Sequence, residues 1–219
     1  MIINTEFSRE LARELLRINA VVLRPNDPFV WSSGWNSPIY CDNRLTLLYP
    51  ELRRKMAGEF AAKIRADFPE SSVITGTATA GIPHAAWVAD QLDLPMAYVR
   101  AKAKAYGMGN QIEGGVRKGQ PTVVIEDLIS TGGSVVSVIE ALQFVGANVQ
   151  AVCTIFTYNF DTASSRLQEV GVPVYALTDY TTLIDVALQE GYIKNEDLQL
   201  LADWRSHPDT WPKKLAVHP

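Results

Sequence analysis

The sequence predicts an α/β fold: a central parallel sheet with helices on both faces. Three observations carry this. Short apolar runs alternate with amphipathic stretches from residue 72 onward, the rhythm of strand–helix–strand units. The run Thr122-Val123-Val124-Ile125 lacks polar alternation, as a strand covered on both faces should. Strands joined through helices lie parallel, with right-handed crossovers. With 219 residues, 47% apolar and 20% charged, the chain has globular composition and the length of one well-filled domain.

Each element has its own signal. Phe7, Leu11, Leu15 and Ile18 form one stripe, predicting a helix over 7–19 that ends before Pro25, Asp27 and Pro28. Two short extended runs follow, Phe29-Val30-Trp31 and Ile39-Tyr40-Cys41, with Ser33-Gly34-Trp35-Asn36 as the turn between them. Leu52, Met56, Phe60 and Ile64 mark a helix over 50–68, with Pro50 suited to its first turn. Strands are expected at 72–75, 96–99, 122–125, 149–156 and 174–177. Helices are expected at 83–92, with Ala85, Val88, Ala89 and Leu92 inward, and at 134–145, with Gly146 as C-cap. Further helices are expected at 162–170, 181–189 and 195–207. There is no internal repeat and no low-complexity linker.

Charge and cysteine content exclude several classes. The net charge of −4 argues against a protein that coats nucleic acid. Cys41 and Cys153 lie far apart with no C-x-x-C or H-x-x-x-H spacing, which argues against structural zinc and reads as two buried or half-buried thiols. Residues 1–9 carry Glu6 and lack the pattern of a signal peptide. No run approaches the ~18 apolar residues of a membrane span. The expected location is the cytoplasm.

One segment breaks the alternation. Residues 100–120 show no convincing helix or strand and hold Gly107, Gly109, Gly114, Gly115 and Gly119. Arg100, Lys102, Lys104, Arg117 and Lys118 face Glu113 alone, a net of +4, so the rest of the chain carries −8. A solvated loop explains the lysines but not the glycines. A basic loop of this length suits a polyanionic ligand that must be covered and then released.

The chemistry concentrates in Thr122-Val123-Val124-Ile125-Glu126-Asp127-Leu128-Ile129-Ser130-Thr131-Gly132-Gly133-Ser134. An apolar strand ends in two carboxylates, a loop of hydroxyls and glycines follows, and a helix opens behind it. Ligands of open α/β sheets sit at the carboxyl ends of strands, and a helix N-terminus suits a phosphate. The carboxylates repel phosphate but fit sugar hydroxyls or a metal-bound water. The whole reads as a pocket for a phosphorylated sugar.

This string resembles the phosphoribosyl pyrophosphate (PRPP) motif of type I phosphoribosyltransferases, with Glu126-Asp127 in place of the usual Asp-Asp. Two further segments resemble the orotate phosphoribosyltransferases of that family. Residues 29–40 are similar to the signature F-x-x-x-S-G-x-x-S-P. Arg100-Ala101-Lys102-Ala103-Lys104-Ala105-Tyr106-Gly107, followed by Ile112-Glu113-Gly114, is similar to the catalytic loop R-K-x-x-K-x-H-G. The resemblance implies the type I phosphoribosyltransferase fold in a single domain. Residues 1–48 would contribute a small N-terminal hood, 50–180 the PRPP-binding core and 181–219 a helical C-terminal segment. It implies that the enzyme joins orotate to PRPP, releasing pyrophosphate and making orotidine 5′-monophosphate for pyrimidine synthesis.

The implied roles follow residue by residue. Lys104 would be catalytic, Arg100 and Lys104 would bind the pyrophosphate, and Tyr106 would be a further substrate-binding position. Glu126 and Asp127 would take the ribose hydroxyls. Leu128, Ile129, Ser130, Thr131, Gly132, Gly133 and Ser134 would hold the 5′-phosphate, with Ser130 also touching orotate. Tyr106 stands where the family usually has His, Ala101 where many members have a second lysine, with Lys102 one place on, and Ser32 where many have Lys or Arg. Residues 76–82 match the pyrophosphate loop, with Ala80 where many members have Lys. Mg2+ would be carried mostly by PRPP, reached by Glu126 or Asp127 through water rather than held directly. A homodimer sharing the basic loop across its interface is implied as well. Trp31, Trp35 and Tyr40 are read equally as packing within the hood or as cover for the base.

Other motifs fail. Gly76 to Gly81 has P-loop spacing but continues Ile82-Pro83 rather than Lys-Ser/Thr, and Gly107-x-Gly109 lacks a third glycine at Ile112. His84, His207 and His218 read as packing or surface residues. The rival readings are a purine-base phosphoribosyltransferase, against which the Ser-Gly hood speaks, and a PRPP-sensing regulator, against which the lysine loop and the acidic balance speak.

Overall fold

A computed structural model describes residues 1–31, 33–100 and 111–211. Helix α1 (Thr5–Arg17) begins before its apolar stripe because Asn4 Oδ1 accepts hydrogen bonds from the Glu6 and Phe7 N–H groups. Such a cap satisfies donors that a helix start otherwise leaves unpaired. The chain then builds a small hood from β1 (Val21–Leu23), β2 (Phe29–Val30), β3 (Asn36–Ser37), β4 (Ile39–Cys41) and a 3₁₀ turn over Asn43–Leu48. Helix α2 (Pro50–Asp67) leads into the core.

The core holds β5 (Val73–Thr77), α3 (Gly81–Leu92), β6 (Met96–Val99), β7 (Ile112–Glu113), β8 (Pro121–Ile129), α4 (Gly133–Phe144), β9 (Asn148–Thr157), α5 (Asp161–Glu169) and β10 (Val174–Asp179). Helices α6 (Tyr180–Gln189) and α7 (Leu198–Ser206), the latter entered through a 3₁₀ turn at Asn195–Asp197, follow. The sheet order is β10-β9-β8-β5-β6-β7. All neighbours are parallel except β6 and β7.

The strands are buried on both faces, as their composition demanded. Val123 and Ile125 of β8 pack into one cluster with Leu11 of α1, Phe60 of α2, Val88 of α3 and Leu183 of α6. Val124, between them, packs into the other with Val135, Ile139 and Leu142 of α4 and Leu167 of α5. This alternation follows from the two-residue period of a strand.

Three expectations are corrected, and the hood's pairing is resolved. The two extended runs and the turn between them are present, but each run pairs with another strand. Trp31 N–H donates to Trp35 O and Gly34 N–H to Trp31 O, both at 2.8 Å, so the tight turn pairs β2 with β3. β4 is left to pair with β1, a strand the sequence reading missed. β8 does not end at Ile125 but runs through both carboxylates to Ile129, held by β9. Residues 112–113 form β7 inside the segment expected to lack structure. Nor is all of that segment's positive charge at one place. Gly119 N–H donates to Gly146 O, and Asn148 N–H to Gln120 O, so Arg117 and Lys118 belong to the turn at the amino end of β8, opposite the proposed site.

The C-terminal segment packs against the hood. Trp204 is fully buried and donates from Nε1 to Asn36 O at 3.0 Å. Its ring meets Trp31 and Tyr158, each at 5.7 Å, and Phe160 at 5.5 Å. Trp31 Nε1 donates to Ile39 O at 3.1 Å. Replacing Trp204 with alanine should cost about 3–5 kcal/mol, the range for large aromatic deletions in a core. A drop in the denaturation midpoint without a change in slope would report it; an unchanged midpoint would place the ring outside the core.

Candidate active site

Parallel β5, β6 and β8 bring three segments to one sheet edge: Thr77 and the turn behind it, Arg100, and Glu126 to Ser134. This is the edge where α/β sheets bind ligands. The turn from β5 into α3 carries a cis peptide between Ala78 and Thr79. Helix α3 comes very close to β8: a Cβ on Gly81 would lie 2.5 Å from Ile125 O, so only glycine fits there. Arg100, half-buried, pairs through Nε with Glu113 Oε1 at 3.2 Å, and its N–H donates to Gln111 O. Lys104 and Tyr106 lie outside the described residues, as do Ala101, Lys102 and Ser32.

The acids sit in unlike settings. Glu126 is 4% exposed, whereas Asp127 is half-buried. Burial pushes the Glu126 carboxyl well above its usual range, and neighbouring Asp127 adds to the rise. Burial also raises Asp127, against the pull of hydrogen bonding and of Arg44 in the hood. Two carboxylates this close cannot both shed their protons cheaply. The pair is therefore primed to give up a proton when a cation or hydroxyl donors arrive.

The loop that follows reaches α4 through Gly132, whose φ of +80° is the left-handed conformation glycine tolerates. Like α2, α3, α5 and α7, α4 has no side-chain cap; what sets it apart is that its N-terminus follows the acid pair at the carboxyl edge of the sheet, where unpaired N–H groups suit an anion. Ser134 is exposed at that opening. Helix α5 braces the loop from behind: Arg166 Nη1 donates to Thr131 O at 2.9 Å, and Ala163 packs under Gly132. No motif pointed to either residue. The Ile129 side chain, expected among the phosphate contacts, is buried in the core.

Beside this loop lies a cavity of about 800 Å³. Trp31, Ser33, Trp35, Tyr40 and Cys41 of the hood line one part of it, and Leu128, Ser130 and Thr131 another. Tyr158, Phe160, Arg166 and Arg205 also line it. Glu126 and Asp127 flank the cavity without lining it. Trp31 and Trp35 stack at 6.4 Å, so packing and cavity lining are carried by the same rings. Both thiols are free. Burial pushes Cys41 well up and Cys153 to about 12, which keeps them protonated. His84 is buried against Trp87, and burial alone lowers it to about 4; it is a neutral packing residue, as read from the sequence.

Comparison with known proteins bears directly on this site. A profile for the phosphoribosyl transferase domain matches residues 49–189, which span α2 to α6. An orotate phosphoribosyltransferase of Bacillus subtilis is 55% identical over 206 residues, 93% of this chain and 95% of that protein. Crystal structures agree: the Aeropyrum pernix orotate phosphoribosyltransferase superposes with a TM-score of 0.72 at 30% identity, over 84% of this chain and 99% of that one. The Mycobacterium tuberculosis orotate phosphoribosyltransferase in complex with PRPP superposes with a TM-score of 0.61 at 25% identity, over 81% and 98%. Similarity at this level over nearly the whole chain leaves one reading of the family: this chain belongs to the orotate phosphoribosyltransferases.

Proposed function

We propose that the protein transfers the 5-phosphoribosyl group from PRPP to orotate, giving orotidine 5′-monophosphate and pyrophosphate in pyrimidine biosynthesis. One observation carries the proposal. A paired-acid strand and a helix N-terminus stand side by side at the sheet edge, next to a cavity lined in part by the aromatic rings of the hood.

The roles follow from chemistry. Glu126 and Asp127 accept hydrogen bonds from the ribose hydroxyls. The open N–H groups of α4, with Ser130, Thr131 and Ser134, hold the 5′-phosphate. Trp31, Trp35 and Tyr40 cover the base, with Ser130 beside it. Holding both reactants in line supplies several kcal/mol. Lys104 and Arg100 stabilise the negative charge that grows on pyrophosphate as C1′ gains oxocarbenium character. The hood keeps water from C1′, where hydrolysis is the competing loss.

Magnesium belongs to this reading. Among the described residues no group of three or more His, Cys, Asp or Glu side chains gathers as a metal site. An adjacent carboxylate pair suits an ion held mainly by substrate oxygens and reached through water, as Mg2+ prefers. When bound with PRPP, the ion neutralises phosphate charge. We also propose a cytoplasmic homodimer in which Lys104 serves the neighbouring protomer's site. Among the described residues no helix is long and apolar enough to cross a membrane.

The test is orotate consumption followed by ultraviolet absorbance, with PRPP and Mg2+ present and each omitted in turn. Hypoxanthine, guanine, adenine and uracil run in parallel. Loss of orotate alone, and only in the complete mixture, is the expected result. Turnover of a purine instead would move the hood from base recognition to packing, and PRPP binding without any turnover would favour a sensor.

A further inference from the structure

We propose that Asn43, in the hood, is a positioning residue that couples the hood to the ribose-binding acids by holding the main chain of Asp127. The inference rests on the acids' role given above and adds a residue that no motif carries. β5 pairs with β8 only as far as Gly76 opposite Ile125. Beyond that point β8 keeps β9 as its strand neighbour, and the other side of its backbone must find different partners, because buried peptide groups left unpaired are costly. At Asp127 two side chains replace the missing strand. The Asp127 N–H donates to Glu126 Oε1 at 2.9 Å, and Asn43 Nδ2 donates to Asp127 O at 2.7 Å.

Asn43 suits this task. It is 1% exposed and sits at the start of the 3₁₀ turn, where Thr46 Oγ1 donates to its carbonyl at 2.6 Å. Its amide has a fixed sense: the Asp127 carbonyl can only accept, so Nδ2 must face it. Oδ1 then takes the Cys41 thiol at 3.4 Å. Cys41 lines the base-side cavity. A single side chain thus ties the wall of the base pocket to the strand end that presents both carboxylates. A shift of the hood is transmitted to the ribose site through this bond, and ribose binding in turn steadies the hood.

The test measures PRPP binding by calorimetry in the presence of Mg2+, for wild type, Asn43→Ala, Asp127→Asn and the double variant. Asn43→Ala should weaken PRPP about tenfold, the loss of one buried hydrogen bond, and leave kcat at saturating PRPP within about twofold. In the Asp127→Asn background the same change should cost clearly less than in wild type, since coupled residues are not additive. Asn43→Leu keeps the approximate shape without the donor and without a new charge, and should match Asn43→Ala; it also serves if the alanine variant does not fold. Equal losses in both backgrounds, unchanged PRPP affinity, or a loss confined to kcat would overturn the coupling. Wild-type protein that binds no PRPP would overturn the functional reading itself, which separates the two failures.

Discussion

Replacing Lys104 with alanine should lower kcat by about 10²- to 10³-fold, the loss seen when a group aimed at developing charge is removed, and should change the KM for PRPP far less. The difference lies in when the charge appears. On the proposed reading, PRPP in the ground state already spreads its negative charge over phosphate oxygens and metal, and Arg100 with the α4 N-terminus would contribute to holding it. Breaking the C1′–O bond places new charge on pyrophosphate, and a cation that meets it there acts on the transition state alone. Arginine should restore only part of the rate, because its planar fork does not reproduce a compact ammonium. Steady-state kinetics with both substrates varied decides the matter. A variant that loses affinity for PRPP while keeping kcat would make Lys104 a binding residue only. If Lys104 acts across a dimer, mixing Lys104→Ala with Glu126→Gln should recover about a quarter of wild-type activity, because half the dimers then carry one intact site.

The parts of the fold that follow local periodicity were legible in the sequence. The stripe Leu52, Met56, Phe60, Ile64 gave α2 to within a residue of its end, and Val99 closes β6 where its apolar run stops. What escaped was set by pairing at a distance. Glu126 and Asp127 look like a loop because they are acidic, yet their backbone continues the ladder to β9. Asn36 and Ser37 are polar, yet buried as β3, because Trp204 reaches Asn36 O from 168 residues away. The strand at Ile112–Glu113 is too short to show a period. The site divides in the same way. The acid pair, the Gly132-Gly133 step and the hydroxyls carry their chemistry in their identity. Asn43 and Arg166 each bond a main-chain carbonyl of the acid-pair strand or the loop behind it, and nothing local in the sequence marks a residue whose partner is another residue's main chain.

Substituting Glu126 with glutamine should separate stability from activity, raising the first and lowering the second. Glu126 is buried with its carboxyl pushed well above the usual range. A group shifted in that direction stabilises the fold fully when it is protonated, below its unfolded pKa, and that contribution is lost as pH rises through the folded value. At neutral pH and above, the ligand-free enzyme therefore bears the cost of a desolvated acid. Glutamine removes that cost and keeps an oxygen to accept the Asp127 N–H that now reaches Oε1. The melting temperature of the variant should exceed that of wild type most at alkaline pH, and the gap should close as pH falls into the ordinary carboxylate range. Turnover should move the other way. A neutral amide accepts a ribose hydroxyl more weakly than a carboxylate does, and losing one charge-assisted hydrogen bond of about 1.5–3 kcal/mol lowers kcat/KM by roughly ten- to a hundredfold. PRPP with Mg2+ should likewise raise the melting temperature of wild type more than that of the variant, because ligand binding is what repays the buried acid. Melting curves across a pH series, with and without PRPP and Mg2+, measure both halves. A variant less stable than wild type at alkaline pH would show that Glu126 is held by structural bonds rather than kept strained for its substrate.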